Sequence, residues 1–271
     1  MRDILVGAVL YDPKVSVIWD IIKEFFASRG CRMDCVFFSN YELQVDSLLG
    51  GHIDIAWNSP LAWLDAQRRA PCRAIAMRDT DRDRVTHWIV RTQGPIRRPE
   101  DLRGHTVATG AIDSPQATLL PLHLLRLHGL VPEQDVTVRR HDLMVGKHGD
   151  HVGGEREALR SLERGESAAA AMLDLNWQLW SADGTVDAIG FRVLATTGPF
   201  DHCNFTVLES FSREREAEWT KALFGMRYDE PTHREMMDME GLKAWLPGRT
   251  SGYADLAAAV DESRFFERAR A

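Results

Sequence analysis

Residues 46–69 read DSLLGGHIDIAWNSPLAWLDAQRR. Ile53, Ile55 and Trp57 alternate with Asp54 and Ala56, which is the period of a strand. At Asn58-Ser59-Pro60 the pattern changes, and Leu61, Leu64 and Ala66 follow a helical spacing. Pro60 suits the first helical position, because its missing N–H would have had no partner there. Ser59 suits the N-cap, where its hydroxyl can accept a free backbone N–H. A helix therefore opens at the carboxyl end of a strand. In open α/β sheets ligands sit in that place, and the unpaired amides with the helix dipole favour an anion. A well-capped strand-to-helix turn with no ligand is the plainer alternative.

Outward from this stretch, the preceding residues repeat its plan. Residues 4–10 form an apolar run read as a buried strand, and residues 15–28 place Val15, Ile18, Trp19, Ile22 and Phe26 on one helical face. Residues 33–38 read as a second strand and 41–49 as a second helix, closed by Gly50-Gly51. Downstream, residues 74–79 and 86–92 read as extended, with the charged residues 78–84 as a solvated turn between them.

The polar stretch 93–104, rich in Pro and Gly, reads as a crossing into a second lobe. There a strand at 106–109 is followed by Ser114-Pro115, a second N-cap and first-position pair, before a helix to about residue 128. Residues 136–140 form a strand, 148–154 a polar loop, 155–164 a helix, and 168–173 a small-residue strand ending at Asp174. Residues 191–196 form another strand, and 197–200 a return crossing. After the return, 204–208 is extended, and 212–224 and 236–246 are helical. The terminal helix 252–266 is expected to dock on the first lobe. Strands alternating with helices give α/β layers, and two crossings give a discontinuous first lobe, residues 1–92 with 198–271, around a second of 93–197.

Composition narrows the function. The 271 residues are 44% hydrophobic and 27% charged, an ordinary globular balance for one large or two ordinary domains. The formal charge of −7 argues against nucleic acid as a general partner while leaving room for a local anion site. The apolar run 4–10 is too short for a membrane span, so no membrane insertion is expected, and no small-residue cleavage site follows it. The compartment stays open: periplasmic if a leader has been removed, cytoplasmic if Met1 is the native start. Cys31, Cys35, Cys72 and Cys203 are irregularly spaced and read as free thiols.

These residues resemble the type 2 periplasmic binding proteins, specifically the phosphate/phosphite/phosphonate branch of ABC-transporter solute-binding proteins. The resemblance rests on the run from Gly51 to Trp57 leading into Ser59-Pro60-Leu61-Ala62, on IRRPEDLRG at 96–104 and on the Ser114 turn before Leu119-Leu120-Pro121. EREALRSLERGESAAAAM at 155–172 adds to it. It implies a two-lobed α/β fold with a ligand cleft between the lobes, and a small anionic or zwitterionic ligand, phosphonate-like, phosphate-like or a carboxylate. A transporter permease is the implied partner, and no cofactor is expected. The positions it carries over are Tyr11, Asn58, Ser59, Ser114, Gln116, Ala117, His151 and Asp174. Asp174 would face a cationic or protonated part of the ligand, since a carboxylate beside an anion is otherwise costly.

Three departures keep an alternative open. Ser114 is followed by Pro115-Gln116-Ala117 where the family carries small hydroxyl residues and glycine. The loop at 148–154 is rich in histidine, and Asp201-His202-Cys203 marks the return crossing. A cytoplasmic enzyme on the same fold, of lyase, decarboxylase or pyrimidine-synthase type, would draw its catalytic groups from His148, His151, Glu155, His202 and Cys203. His148, His151 and Glu155 have helical spacing for a metal, but Gly153-Gly154 interrupts a helix there, so no metal is assigned. His202 and Cys203, as strand neighbours, are expected to point to opposite faces. Trp19, Trp63, Trp219 and Trp245 lie in helical apolar patterns and read as packing, whereas Trp57 and Trp177 end strands and could stack on a ligand. A sensing module with a protein partner is a third class, but no helix-turn-helix pattern is seen at either end.

Overall fold

In the computed structural model, residues 2–149 and 153–269 are described. The chain forms β1 (Ile4–Val9), α1 (Lys14–Ser28), β2 (Met33–Phe38), α2 (Tyr41–Leu49), β3 (Ile55–Asn58), α3 (Pro60–Arg69) and β4 (Cys72–Arg78). There follow β5 (Thr86–Arg91), β6 (Thr106–Thr109), α4 (Leu120–Leu127), β7 (Thr137–Arg140), α5 (Glu155–Glu163), β8 (Ala169–Leu173), α6 (Asp174–Ala182) and β9 (Phe191–Thr196). The last elements are β10 (Asn204–Leu208), α7 (Arg213–Phe224), α8 (Pro231–Met239), β11 (Trp245–Pro247), α9 (Ala254–Ser263) and α10 (Phe265–Ala269).

Two compact units result. The first takes the chain up to Arg82 together with Asp201–Gly252, and the second takes Asp83–Phe200 together with the chain from Tyr253 onward. The boundaries expected at 92/93 and 197/198 therefore move to 82/83 and 200/201. The terminal helix belongs to the second unit, where Glu262 of α9 meets His123 of α4 at 2.8 Å.

The first unit holds a six-stranded sheet in the order β11-β4-β10-β3-β1-β2. β1 pairs in parallel with β2 and β3, as strands joined by helices must, and β10 enters antiparallel between β3 and β4. Alternation along β3 sends Ile55 and Trp57 to a core with Ile18, Trp19, Phe26, Phe205 and Trp219. Ala56 turns the other way, toward Leu48 and Ile53.

The second unit holds five strands in the order β7-β6-β8-β5-β9. Trp88 of β5 packs with Val107, Leu124, Leu125, Ala169 and Ala171. Its neighbour Ile89 faces the opposite cluster, with Ala108, Leu159, Ala170, Met172 and Trp180. β8 is buried along its whole length, which is why it reads as small and apolar without alternation.

Three expectations fail locally. The segment expected as a helix at 236–246 splits into the end of α8 and the short strand β11, so Trp245 lies on a strand although it is buried as expected. Asp174 starts helix α6 directly at the end of β8. The charged residues 78–84 are not all solvated: Asp81 is buried, and Arg78 holds it through Nε at 2.7 Å and Nη2 at 2.8 Å while its Nη1 reaches Glu240 at 2.9 Å. Charges of opposite sign at this spacing satisfied one another instead of facing water.

Candidate functional site

In the first unit Ser59 is extended (φ −63°, ψ 165°), and its Oγ accepts from the Ala62 amide at 3.1 Å. Its carbonyl accepts from the Trp63 amide at 2.9 Å, and Pro60 has no N–H to offer. Of the first-turn amides, that of Leu61 has no acceptor among the described residues. Beneath the turn runs a buried chain of neutral hydrogen bonds. Gln44 Nε2 donates to the Trp57 carbonyl and to Asn58 Oδ1, both at 2.8 Å, Asn58 Nδ2 donates to Thr206 Oγ1 at 3.0 Å, and Thr206 Oγ1 donates to Asn204 Oδ1 at 2.7 Å. Asn58 thus has both ends of its amide engaged and acts on the turn by fixing the strand end that leads into it.

In the second unit Ser114 repeats the cap, with its Oγ accepting from the Ala117 amide at 3.1 Å. Here the turn is wider. The amides of Thr118 and Leu119 both reach the Ser114 carbonyl, at 3.1 and 3.0 Å, and Pro115–Leu119 forms one π-helical turn before α4. The Gln116 amide has no acceptor among the described residues, and neither has its buried Oε1; its Nε2 donates to the Gly149 carbonyl at 3.0 Å. The Ala117 amide is consumed by the cap, so Ala117 has no N–H left for a ligand.

Of the polar loop expected at 148–154, the described residues His148 and Gly149 are buried against this turn. Gly149 has φ +63°, and a Cβ there would stand 2.4 Å from Ser114 Oγ, so only glycine fits. The buried Asp113 carboxyl accepts from the amides of Gly146 at 2.6 Å and His148 at 3.3 Å. Burial pushes the Asp113 carboxyl above the ordinary range. His148 is buried as well, while His151 lies outside the described residues.

Two more carboxyls close this half. Asp174, first residue of α6, has its Oδ2 3.4 Å from Arg84 Nη1, while its buried Oδ1 has no hydrogen-bond partner among the described residues. Glu155, first residue of α5, is fully buried, and its Oε2 accepts from the Leu173 amide at 2.9 Å and from Asn176 Nδ2 at 2.8 Å. Burial, with the Asp174 charge adding to it, drives the Glu155 carboxyl up to about 8, so it is neutral at pH 7. The metal alternative drawn from His148, His151 and Glu155 includes His151, which lies outside the described residues. A neutral carboxyl spent on a backbone amide is a structural group, and His148 and Glu155 share no metal-ligating cluster among the described residues.

The other singled-out residues fall elsewhere. Tyr11 is half-buried against the first unit's core. Trp57 is a core residue, with ring centroids of Phe205 at 4.5 Å and Trp245 at 5.8 Å and the Arg78 guanidinium 5.2 Å from its ring. Trp177, expected at a strand end, lies on α6 and is partly buried against the cluster that holds Leu159, Met172 and Trp180. His202 and Cys203, expected to point apart, are in contact, with Nδ1 3.1 Å from Sγ. The rule of opposite faces applies within a strand, and β10 begins only at Asn204. The four cysteines are free thiols. Sequence reading missed Gln44, Thr206 and Asp113, which support the two turns; their signal, a polar residue within an otherwise apolar pattern, is weak.

A cavity of about 280 Å³ in the first unit, lined by Arg2, Asp54, Ser212 and Arg215 among others, is a weaker candidate. Asp54 already pairs with Arg2 at 2.7 Å and faces Arg215 at 3.7 Å, which leaves little attraction for an anion.

With this geometry in view, comparison with known proteins gives a matching family and solved structures of similar fold. The ABC-transporter phosphonate periplasmic substrate-binding proteins match over residues 19–253. PhnD1 of Prochlorococcus marinus, solved with methylphosphonate, superposes with a TM-score of 0.71 at 15% identity, covering 97% of this chain and 98% of that one. A Xanthomonas citri protein bound to ATP gives 0.75 at 17% identity, covering 97% and 98%. The aliphatic sulphonate-binding protein SsuA of Escherichia coli gives 0.60 at 17% identity, covering 100% and 93%. At these identities the structural likeness is one of fold, the two-lobed α/β fold expected from the sequence. An uncharacterized Haemophilus influenzae protein is 54% identical over 33 residues, which are 12% of this chain and 46% of that protein, so the match spans about half of that relative. Nothing in these likenesses supports the enzyme alternative.

Proposed function

The chain belongs to the ABC-transporter phosphonate periplasmic substrate-binding proteins, and we propose that it binds a small molecule with a tetrahedral or carboxylate anionic head through amides at its capped helix starts. The observation that carries this reading is the repetition of one device in each unit. A serine caps a helix whose first residue is proline, and a single first-turn amide, that of Leu61 or Gln116, is left for an outside acceptor. Such amides at helix starts hold an anion without a fixed positive charge, which suits a chain of net charge −7.

The acceptors in the second unit refine the ligand. Asp174 Oδ1 and Gln116 Oε1 are buried and want donors, so the ligand carries N–H or O–H groups as well as its anionic head. A zwitterion or a partly protonated anion meets both demands, and His151 and Tyr11 belong to the same reading. A transporter permease is the partner this family membership suggests, and no described helix is long and apolar enough to cross a membrane itself.

The test is calorimetric titration and thermal shift against methylphosphonate, inorganic phosphate and small carboxylates. One class is expected to bind and to raise the melting temperature. Ser59→Ala with Ser114→Ala is expected to abolish that rise while the unliganded fold persists, each lost cap costing about 1 kcal/mol. Unchanged binding by the double variant would remove both turns from the site.

A further inference from the structure

Asp81, His202 and Cys203 play no part in the ligand reading, yet their ligating atoms lie within 4.8 Å of one another. Asp81 stands just before the chain leaves the first unit, and His202 and Cys203 stand just after it returns. The His202 amide donates to the Asp81 carbonyl at 2.7 Å, tying the outgoing and incoming segments together inside that unit. His202 Nδ1 lies 3.1 Å from Cys203 Sγ and 3.5 Å from Asp81 Oδ1. Around a tetrahedral zinc ion, ligand atoms sit about 3.3–3.8 Å apart, given bonds of roughly 2.0–2.3 Å. The N–O edge of 3.5 Å falls inside that range, the N–S edge of 3.1 Å falls short of it, and the third edge is no longer than 4.8 Å, so a modest side-chain adjustment completes the triangle.

We propose that Asp81 Oδ1, His202 Nδ1 and Cys203 Sγ bind a zinc-class divalent metal ion in the first unit, with water in the fourth position. Carboxylate, imidazole and thiolate are the donor types zinc takes, and the mixture disfavours the harder calcium and magnesium, which take oxygen alone. Charge argues the same way. Arg78 is bonded to both Asp81 and Glu240, so the group carries one surplus negative charge in a place where the Asp81 side chain is 2% exposed. Ionising Cys203 makes the surplus two, and a divalent ion cancels it. On binding, the thiol proton passes to solvent, sulfur, nitrogen and oxygen each give a lone pair to the ion, and no electron is transferred. His202, with 12% of its side chain exposed, is the side from which an ion enters.

The test uses the full chain, stripped with a chelator and titrated with Co²⁺ as a spectroscopic substitute. A near-ultraviolet sulfur-to-cobalt charge-transfer band is expected, saturating at one equivalent and bleached by Zn²⁺. Cys203→Ser is expected to abolish the band, and His202→Gln to weaken Co²⁺ affinity at least about tenfold. No band in the stripped wild type, or a band surviving Cys203→Ser, overturns the proposal. Should Cys203→Ser fail to fold, peptide-mapped alkylation of the wild type decides: Zn²⁺ is expected to protect Cys203 and leave Cys35 and Cys72 as reactive as before. Equal alkylation of Cys203 with and without Zn²⁺ overturns it.

Discussion

The Ser59 turn rests on uncharged hydrogen bonds running from Gln44 through Asn58 to Thr206, whereas the Ser114 turn rests on a loop bent through a left-handed glycine and on the buried Asp113 carboxyl. The sequence at the two places is nearly the same, a serine and a proline before a helix, and so is the cap geometry, with both serine oxygens 3.1 Å from the amide they accept. What differs is the support. Neutral amide and hydroxyl groups hold the first turn identically at any ordinary pH. The second includes Asp113, whose carboxyl burial pushes toward the protonated form, and Glu155 elsewhere in the same unit is pushed the same way, so its surroundings respond to pH. Two helix starts that present the same amides are thus built to different tolerances.

Three substitutions would break or sharpen this contrast. Gly149→Ala should have the largest effect, because the added methyl meets Ser114 Oγ and the backbone keeps a φ of +63°. A loss of about 2–4 kcal/mol is expected in denaturant titration, and ligand affinity should fall with it. Near-wild-type stability would mean that the loop does not brace the cap. Asn58→Ala should cost about 1–3 kcal/mol by leaving Gln44 and Thr206 short of a partner, and the loss should be the same at acid and neutral pH.

Glu155→Gln carries the pH half of the contrast. The carboxyl stands near 4.5 in the unfolded chain and at about 8 in the fold, so between those values the fold keeps a proton that the unfolded chain has lost. Its contribution is therefore fullest below pH 4.5 and is lost as the pH rises to about 8. The glutamine keeps an acceptor for Leu173 and Asn176 without that proton dependence. The variant should match the wild type near pH 4.5. Near pH 8 it should exceed the wild type, which is the direction the raised carboxyl requires. Melting curves at both values check this, and an equal difference at each would assign the effect to packing.

Much of this was legible in the residues. Ser59-Pro60 and Ser114-Pro115 announce their helices because capping is local chemistry, and β1 to β4 follow from hydrophobic period alone. What escaped was long-range. Trp245 sits on a three-residue strand, too short to display alternation. Asp174 follows β8 with no intervening turn residue, so the strand conceals the helix it begins. The amphipathic pattern of α9 states that one face is buried and is silent on which sheet buries it. Arg78 and Asp81 look like surface charges until Glu240, far along the chain, completes their set. The meeting of His202 with Cys203 depended on where a strand begins, which is the least certain feature of any sequence reading.

The sheet order of the first unit carries a consequence for synthesis. β10 lies between β3 and β4, and every residue of the inserted stretch Asp83–Phe200 is translated before it. A nascent chain on the ribosome therefore holds β3 and β4 with no strand to join them for as long as that insertion takes to emerge. The inserted stretch in turn waits for α9, which follows β10 in the chain. Neither half can be finished before the other has been largely translated, so the two must mature together rather than one after the other.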